Sequence, residues 1–462
     1  MSIETRNPAS PDSVVAVYTE TRTTDIDALV IKAQSAQRQW SAIPQPERGR
    51  LIDQYLNALE ARGEDIARII TLEMGKTLTE SRGEVAKSIA EGRMVQQRAA
   101  AAIGELLPSQ VPGVTAYSMR RPRGVVVGIN PWNFPFGTPV RKSIPALVYG
   151  NAILLKPASQ TPGAVQLMAD IAADLLPEGL VQAVIGSGSM GESLCGHPGV
   201  HAVTFTGSVA VGKRVAAAAV SHLAEVSLEL GGKNPVILND ASRLDVALDQ
   251  IFTAAFALCG QRCTAISRVI VHRDLLKQTV DGLVSRATDI IPSDGTVEGA
   301  RMGPLSSRSQ LDDVDAFVSR AREAGATVAA GGQRLELVQG GYFYPPTVLS
   351  GVTPDMEIAR EEVFGPVLSV LSFDTLDQAL QIANDVAYGL TSCLYSEQAP
   401  VIERFLSESE SGMLHVNAGS FPENHVPFVG IKDSALGVGG SNGPSTIQFY
   451  TTEHAVYRKG QA

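Results

Sequence analysis

GVVVGINPWNFPFGTPVRKSIPALVYGNAILLK, residues 124–156, opens and closes on apolar runs that are too short for helices and do not alternate with polar residues. Between them, residues 138–149 form a segment of helical length. Strands apolar on both sides are what a parallel sheet needs when helices cover both of its faces. The same texture continues downstream, where QAVIG (182–186), HAVTFTG (201–207), NPVILND (234–240) and SRVIVHR (267–273) alternate with helix-length segments at 160–174 and 209–222. A second alternating block spans 234–417, with strands expected near 269–272 and 367–372 and helices near 243–258, 308–324 and 375–385. The prediction is an α/β protein with two doubly wound parallel-sheet lobes.

Outside this block the texture differs. Apolar residues recur at three- and four-residue spacing through 51–59 and 86–102, so the first hundred residues are expected to be mostly helical. The closing stretch STIQFYTTEHAVYRK, 445–459, is rich in Thr, Tyr, Phe and Val and is read as a strand outside both lobes, an edge that invites pairing with another chain.

A chain of 462 residues, 44% hydrophobic and 19% charged, is long enough for about three domain-sized units with large cores. Its net charge of -10 offers no footprint for nucleic acid or anionic lipid. No run reaches a membrane span, and the opening residues MSIETRNPAS lack a signal-peptide pattern, so a cytoplasmic location is expected. The four cysteines, at 195, 259, 263 and 393, are too scattered for a disulfide framework. Cys259 and Cys263 have no nearby His or acidic residue to complete a zinc set, so no metal is expected.

Three residues could carry chemistry. Cys263, in FALCGQRCTAISRVIV, follows a Gly-Gln turn between a helix and a strand; it is either a thiol presented to a cleft or a packed core cysteine. Glu229, in LELGGKNPVI, precedes two glycines and is either a general base or a solvated turn residue. Asn133, in INPWNFP, is stiffened by flanking prolines and could be an oxyanion donor or ordinary turn chemistry.

Seven motifs then occur in one order: PWNFP, KPASQTP, FTGSVAVGK, LELGGKNP, FALCGQRC, EEVFGPV and HVPFVGIKDS. In these the chain resembles the NAD(P)-dependent aldehyde dehydrogenase superfamily over nearly its whole length, and succinate-semialdehyde dehydrogenases most of all. The resemblance implies a thioester formed on Cys263, an oxyanion held by Asn133 and the Cys263 amide, and water activated by Glu229. It implies a dinucleotide-binding domain over 1–104 and 124–230, a catalytic domain over 231–436, and an oligomerisation element from 105–123 and 437–462 in a homodimer or homotetramer. For the cofactor it points to Trp132, Lys156, Ser159, Gly207, Ser208, Gly212, Glu362 and Phe364. The amides of the two glycines would face a pyrophosphate at the start of a helix. Ser159 stands where NAD-preferring relatives often carry glutamate, so NADP is favoured, with NAD as the alternative.

Arg141 and Arg262 are the expected anchors of a substrate carboxylate. A short semialdehyde is therefore the expected substrate, succinate semialdehyde first; an aromatic or neutral aliphatic aldehyde, a CoA-acylating reaction and a catalytically idle binding protein are the alternatives. Against the semialdehyde pattern stand Pro422 and Glu423, whose carboxylate would repel that of the substrate. Further departures are Val429 and Ala435 in place of glycines, Gly439 where a glutamate is common, and Ala265 where a second redox cysteine would stand.

Overall fold

The computed structural model describes residues 2–240, 243–336, 340–438 and 441–460. Its first large sheet has six strands in the order Ala435–Gly437, Glu225–Glu229, Ala202–Thr206, Val125–Ile129, Ala152–Lys156 and Val181–Ala183, parallel except for the first. Val125–Ile129 and Ala152–Lys156 are buried at every position, which is why they read as continuous apolar runs. Helices such as Gly137–Val148, Gly163–Leu175 and Val209–Val220 cover the faces, joined by the helices between Ile26 and Gln96. One hydrophobic core runs from Ile26 to Leu230 and recruits Phe449 and Tyr450.

The second sheet has seven strands, ordered Thr327–Ala330, Thr347–Ser350, Val367–Phe373, Ile266–His272, Asn234–Leu238, Thr391–Tyr395 and Met413–Val416. Only the pairing of Thr327–Ala330 with Thr347–Ser350 is antiparallel. Its own core extends from Val236 to Phe405. Two doubly wound α/β layers with separate cores therefore account for most of the chain. Gly104–Leu107, Val114–Pro122 and Thr451–Lys459 form a third, antiparallel sheet in which Leu106 and Tyr457 are exposed. Among the described residues, no helix is long and apolar enough to cross a membrane.

The first hundred residues are mostly helical, as expected, in four helices between Ile26 and Gln96, preceded by a hairpin of Ser2–Asn7 and Ser10–Thr19. The hairpin is tied to the body by Tyr18, whose hydroxyl donates to Glu73 at 2.8 Å, and by the Pro8 carbonyl, which accepts from the Tyr342 amide at 3.0 Å, contacts between residues too far apart for periodicity to signal. One expectation needs correction, because the closing strand begins late: Thr446–Tyr450 is a short helix, and only Thr451–Lys459 is strand. Phe449 and Tyr450 are buried in the first core, and this packing overrides their preference for extended backbone. Gly439 lies outside the described residues.

Candidate active site

In the first sheet the winding direction reverses between Val125–Ile129 and Ala202–Thr206. Connections leaving the carboxyl ends of two neighbouring strands then diverge and open a crevice. Residues 131–134 follow one strand, Gly207 and Ser208 follow the other, and all line a cleft of about 490 Å³. The opposite wall comes from the amino ends of two adjacent strands of the second sheet. Arg262 to Thr264 precede Ile266–His272, and Glu362 and Phe364 precede Val367–Phe373. The cleft thus lies where the carboxyl edge of one sheet faces the amino edge of the other.

The thiol loop is a sharp reversal. After helix Leu244–Phe256 the backbone turns left-handed at Leu258 (φ 55°), Cys259 (φ 56°) and Gly260 (φ 68°). At a residue with a side chain this costs roughly 1 kcal/mol or more, so the surroundings must hold it. Glu80 accepts from the Leu258 amide at 2.8 Å, and the buried Gln261 side chain donates to the Leu258 carbonyl at 3.1 Å and accepts from the Ser306 amide at 2.9 Å. A Cβ at position 260 would meet the Gly365 carbonyl oxygen at 2.2 Å, so only glycine fits there. Asn234 then fixes the far side, donating to the carbonyls of Cys263 at 2.7 Å and Ala265 at 2.8 Å.

Cys263 is half-buried on the cleft wall, whereas Cys195, Cys259 and Cys393 are buried. Burial pushes its thiol up to about 12, with Glu362 and Glu229 adding to the rise and Arg141 and Arg262 opposing it. A group so reluctant to ionise needs a nearby acceptor for its proton. Glu229 ends strand Glu225–Glu229, and its buried Oε2 has no hydrogen-bond partner among the described residues. Burial raises its carboxyl to about 8, so it takes up a proton in the neutral range. Asn133 is buried, and its side-chain amide donates to the Gln261 carbonyl at 2.9 Å, which aims it at the thiol loop.

Trp132 and Phe364 meet edge to face, 5.4 Å apart, and both line the cleft. Glu362 accepts from the Gly232 amide at 3.0 Å and lies so close that a Cβ on Gly231 would be 2.2 Å from its Oε2. Burial raises its carboxyl to about 7. Ser208 accepts from the Val211 amide at 3.4 Å and so caps helix Val209–Val220.

The two glycines of this junction do not offer their own amides. That of Gly207 donates to the Glu229 carbonyl at 3.1 Å, and that of Gly212 to the Ser208 carbonyl at 2.9 Å. Both sites are instead short of room, since a Cβ would lie 2.6 Å from the Phe205 ring at 207 and 2.6 Å from Leu230 at 212. Donors at this helix start fall to the first-turn amides of Val209 and Ala210, which have no partner inside a helix. Lys156, Ser159 and Gly212 do not line the cleft. Lys156 ends its strand buried, donating to the Pro157 carbonyl at 3.0 Å, and burial lowers its ammonium to about 8. Ser159 is exposed on the following turn. A buried cation with no carboxylate partner among the described residues, beside Gly191 of helix Gly188–Cys195, is a surrounding that suits a nucleotide's phosphates or ribose.

Arg141, which also lines the cleft, is joined to Glu91 through Nε at 2.7 Å and Nη2 at 3.0 Å, and stacks over Phe428 at 5.4 Å. Arg262 donates to the Ala254 carbonyl at 2.6 Å, while its buried Nε has no partner among the described residues. Lys87, which no motif singles out, is a third cation of the lining and donates to the Pro422 carbonyl at 2.8 Å. Its only sequence signal is its place four residues before Glu91 on helix Leu78–Gln96. Pro422 lines the cleft; the Glu423 side chain is 54% exposed, 3.6 Å from His425, and does not. Among the described residues no group of three or more His, Cys, Asp or Glu could hold a metal ion.

Residues 1–456 match the Aldehyde dehydrogenase family. The chain is 37% identical to the alpha-ketoglutaric semialdehyde dehydrogenase of Bacillus subtilis, over 99% of this chain and 94% of that protein. The solved lactaldehyde dehydrogenase of Escherichia coli superposes with a TM-score of 0.96 at 34% identity, covering 100% of this chain and 96% of that one. A 3,6-anhydro-L-galactose dehydrogenase solved with bound NADP superposes equally well, TM-score 0.96 at 31% identity, covering 99% and 96%.

Proposed function

Because the chain belongs to the aldehyde dehydrogenase family, an oxidoreductase family acting on aldehydes with NAD(P), we propose that it oxidises a short aldehyde carrying a remote carboxylate to the acid, with NADP used at least as well as NAD. The observation that carries the reading is the meeting of Cys263, Glu229 and Asn133 in one cleft that Lys87, Arg141 and Arg262 also line.

The Cys263 thiol gives its proton to Glu229 and its sulfur bonds to the aldehyde carbon. The Asn133 amide and the Cys263 backbone N–H stabilise the oxyanion that forms. Trp132, Glu362 and Phe364 would hold the nicotinamide end of NAD(P), which would supply the hydride acceptor. Glu229 releases the thiol proton to solvent, takes a proton from the water that attacks the thioester, and returns it to the departing sulfur, so that the acid leaves and the thiol is restored. Lys156, Ser159 and Ser208, with the amides of Val209 and Ala210, are the residues suited to the adenosine and phosphate end.

Arg262 Nε and the cation of Lys87 are the groups best placed to receive a carboxylate, since Arg141 already spends two donors on Glu91. Succinate semialdehyde remains the first candidate, and the name of the Bacillus relative adds 2-oxoglutarate semialdehyde. The antiparallel sheet of Gly104–Leu107, Val114–Pro122 and Thr451–Lys459 is proposed as the oligomerisation element of a homodimer or homotetramer, and the two large lobes as the dinucleotide-binding and catalytic domains. A CoA-acylating enzyme has no need of a base that activates water, so Glu229 argues against that alternative.

The test is formation of reduced cofactor from succinate semialdehyde, 2-oxoglutarate semialdehyde and butanal, each with NADP or NAD and no CoA. The semialdehydes should show the higher kcat/KM, and Cys263→Ala should abolish the signal. A preference for butanal would overturn the substrate reading, and a requirement for CoA the reaction.

A further inference from the structure

Helix Leu78–Gln96 begins between the two loops that carry Asn133 and Cys263. Lys76, just before it and fully buried, donates from Nζ to the Asn133 carbonyl at 2.7 Å and lies 4.5 Å from the centre of the Phe134 ring. The same ammonium pairs with Glu84 at 2.5 Å, with the two side chains 0% and 3% exposed. Glu84 uses its other oxygen, Oε1, to accept from the amides of Phe136 at 3.0 Å and Gly137 at 2.8 Å. One buried ion pair therefore grips both ends of the segment from Asn133 to Gly137.

A buried ion pair gives little net stability, because desolvating two charges offsets most of their attraction. What this pair does have is direction. Among the described residues, the side-chain hydrogen bonds of the pair go to the Asn133 segment or to its own partner. The segment it grips follows Trp132, bears Phe134 beside the cleft and hands the Asn133 amide to the Gln261 carbonyl, in the thiol loop. A donor to an oxyanion loses most of its effect when displaced by as little as 1 Å.

We infer that Lys76 and Glu84 are positioning residues for the reaction: the buried pair fixes the Asn133 amide where the oxyanion forms. The inference rests on the reading of Asn133 as the oxyanion donor. It concerns how that amide is held, and the substrate does not enter it.

The test is a double-mutant cycle on the full enzyme. Lys76→Met with Glu84→Gln removes both charges together, so no lone buried ion is left to unfold the protein. This variant should lower kcat about tenfold or more, with the KM for NADP and the melting temperature little changed. Introduced into Asn133→Ala, it should cost nothing further, since the group it positions is gone. Equal losses in both backgrounds, or no loss in either, would overturn the inference. If the double variant does not fold, Glu84→Asp serves: it keeps the charge, draws the carboxylate back by one methylene, and should show a smaller loss of kcat that likewise disappears with Asn133→Ala. The underlying reading fails separately, through an Asn133→Ala enzyme with undiminished kcat.

Discussion

The side-chain amide of Asn133 donates to the backbone carbonyl of Gln261 at 2.9 Å, across 128 residues of sequence. One residue belongs to the carboxyl edge of the first sheet, the other to the loop before the amino edge of the second. The bond spends one of the two amide hydrogens on joining the lobes and orients the other. The thiol loop and its candidate oxyanion donor are thereby registered to each other without either touching a ligand.

The first prediction concerns this amide. Asn133→Ala should lower kcat by about two to three orders of magnitude, the usual effect of losing one preorganised oxyanion donor. Asn133→Asp should be at least as harmful, because a carboxylate would repel both the oxyanion and the Gln261 carbonyl. Steady-state rates decide it, and a loss under fivefold in the alanine variant would remove Asn133 from the chemistry.

Glu229 supplies a pH dependence whose sign follows from its raised carboxyl, about 8 rather than the ordinary 4.5. As a base it works only when ionised, so hydrolysis of the thioester should quicken as pH rises through about 8 and then level off. Glu229→Gln should suppress the burst of reduced cofactor as well as turnover, because it removes both the acceptor of the Cys263 proton and the base that activates water. Stability runs the opposite way. A folded pKa above the unfolded one favours the fold most fully below about 4.5, and that contribution is lost as pH climbs towards 8. The melting-temperature advantage of Glu229→Gln over the parent should therefore widen between pH 5 and pH 9; an advantage that shrinks would contradict the burial of this group.

Much of this was legible in the sequence, for a physical reason. Strands buried on both faces must be continuous apolar runs, so Val125–Ile129 and Ala152–Lys156 announced a parallel sheet, and the motifs at 131–135, 228–235 and 256–263 mark sheet edges where little else fits. What stayed hidden depends on contacts between distant residues. The hairpin at Ser2–Thr19 is secured by Tyr18 on Glu73, and the helix at Thr446–Tyr450 by burial of two aromatics that favour strands. Gly207 and Gly212 drew attention as phosphate-loop glycines, yet a sequence cannot show that their amides are already committed. Lys87 escaped because a lysine on an exposed helix face looks the same whether or not a cleft opens beside it.

The cations that line the cleft separate anionic from neutral aldehydes. Lys87→Met and Arg262→Met should each raise the KM for succinate semialdehyde about fivefold or more and leave that for butanal nearly unchanged, because a neutral chain has nothing to lose with the charge. Arg141→Met should do less selective harm, since it also strands the buried Glu91. Equal shifts for both aldehydes would return all three residues to a structural role.

Ser159 is exposed on the turn after the strand that ends at Lys156. A small hydroxyl there leaves room for a 2′-phosphate, which the Lys156 ammonium can attract. Ser159→Glu should raise the KM for NADP about tenfold and alter that for NAD much less, because two negative groups would then share one corner. Unchanged discrimination, measured as the ratio of the two kcat/KM values, would mean that the adenosine end lies elsewhere.

Glu80 is the last group whose loss should be felt at the thiol. Its Oε2 accepts from the Thr77 amide at 2.9 Å to cap helix Leu78–Gln96, and its Oε1 accepts from the Leu258 amide at 2.8 Å, where the backbone is left-handed. Removing the cap alone costs about 1 kcal/mol of stability. Releasing Leu258 as well lets two strained residues relax five and four positions before Cys263, so Glu80→Ala should lower the rate of Cys263 alkylation by iodoacetamide along with kcat. Thr77→Ala removes the hydroxyl part of the cap and leaves the Leu258 bond in place. It should therefore match Glu80→Ala in lost stability far better than in lost thiol reactivity, and equal reactivity in the two variants would show that the strained loop holds itself.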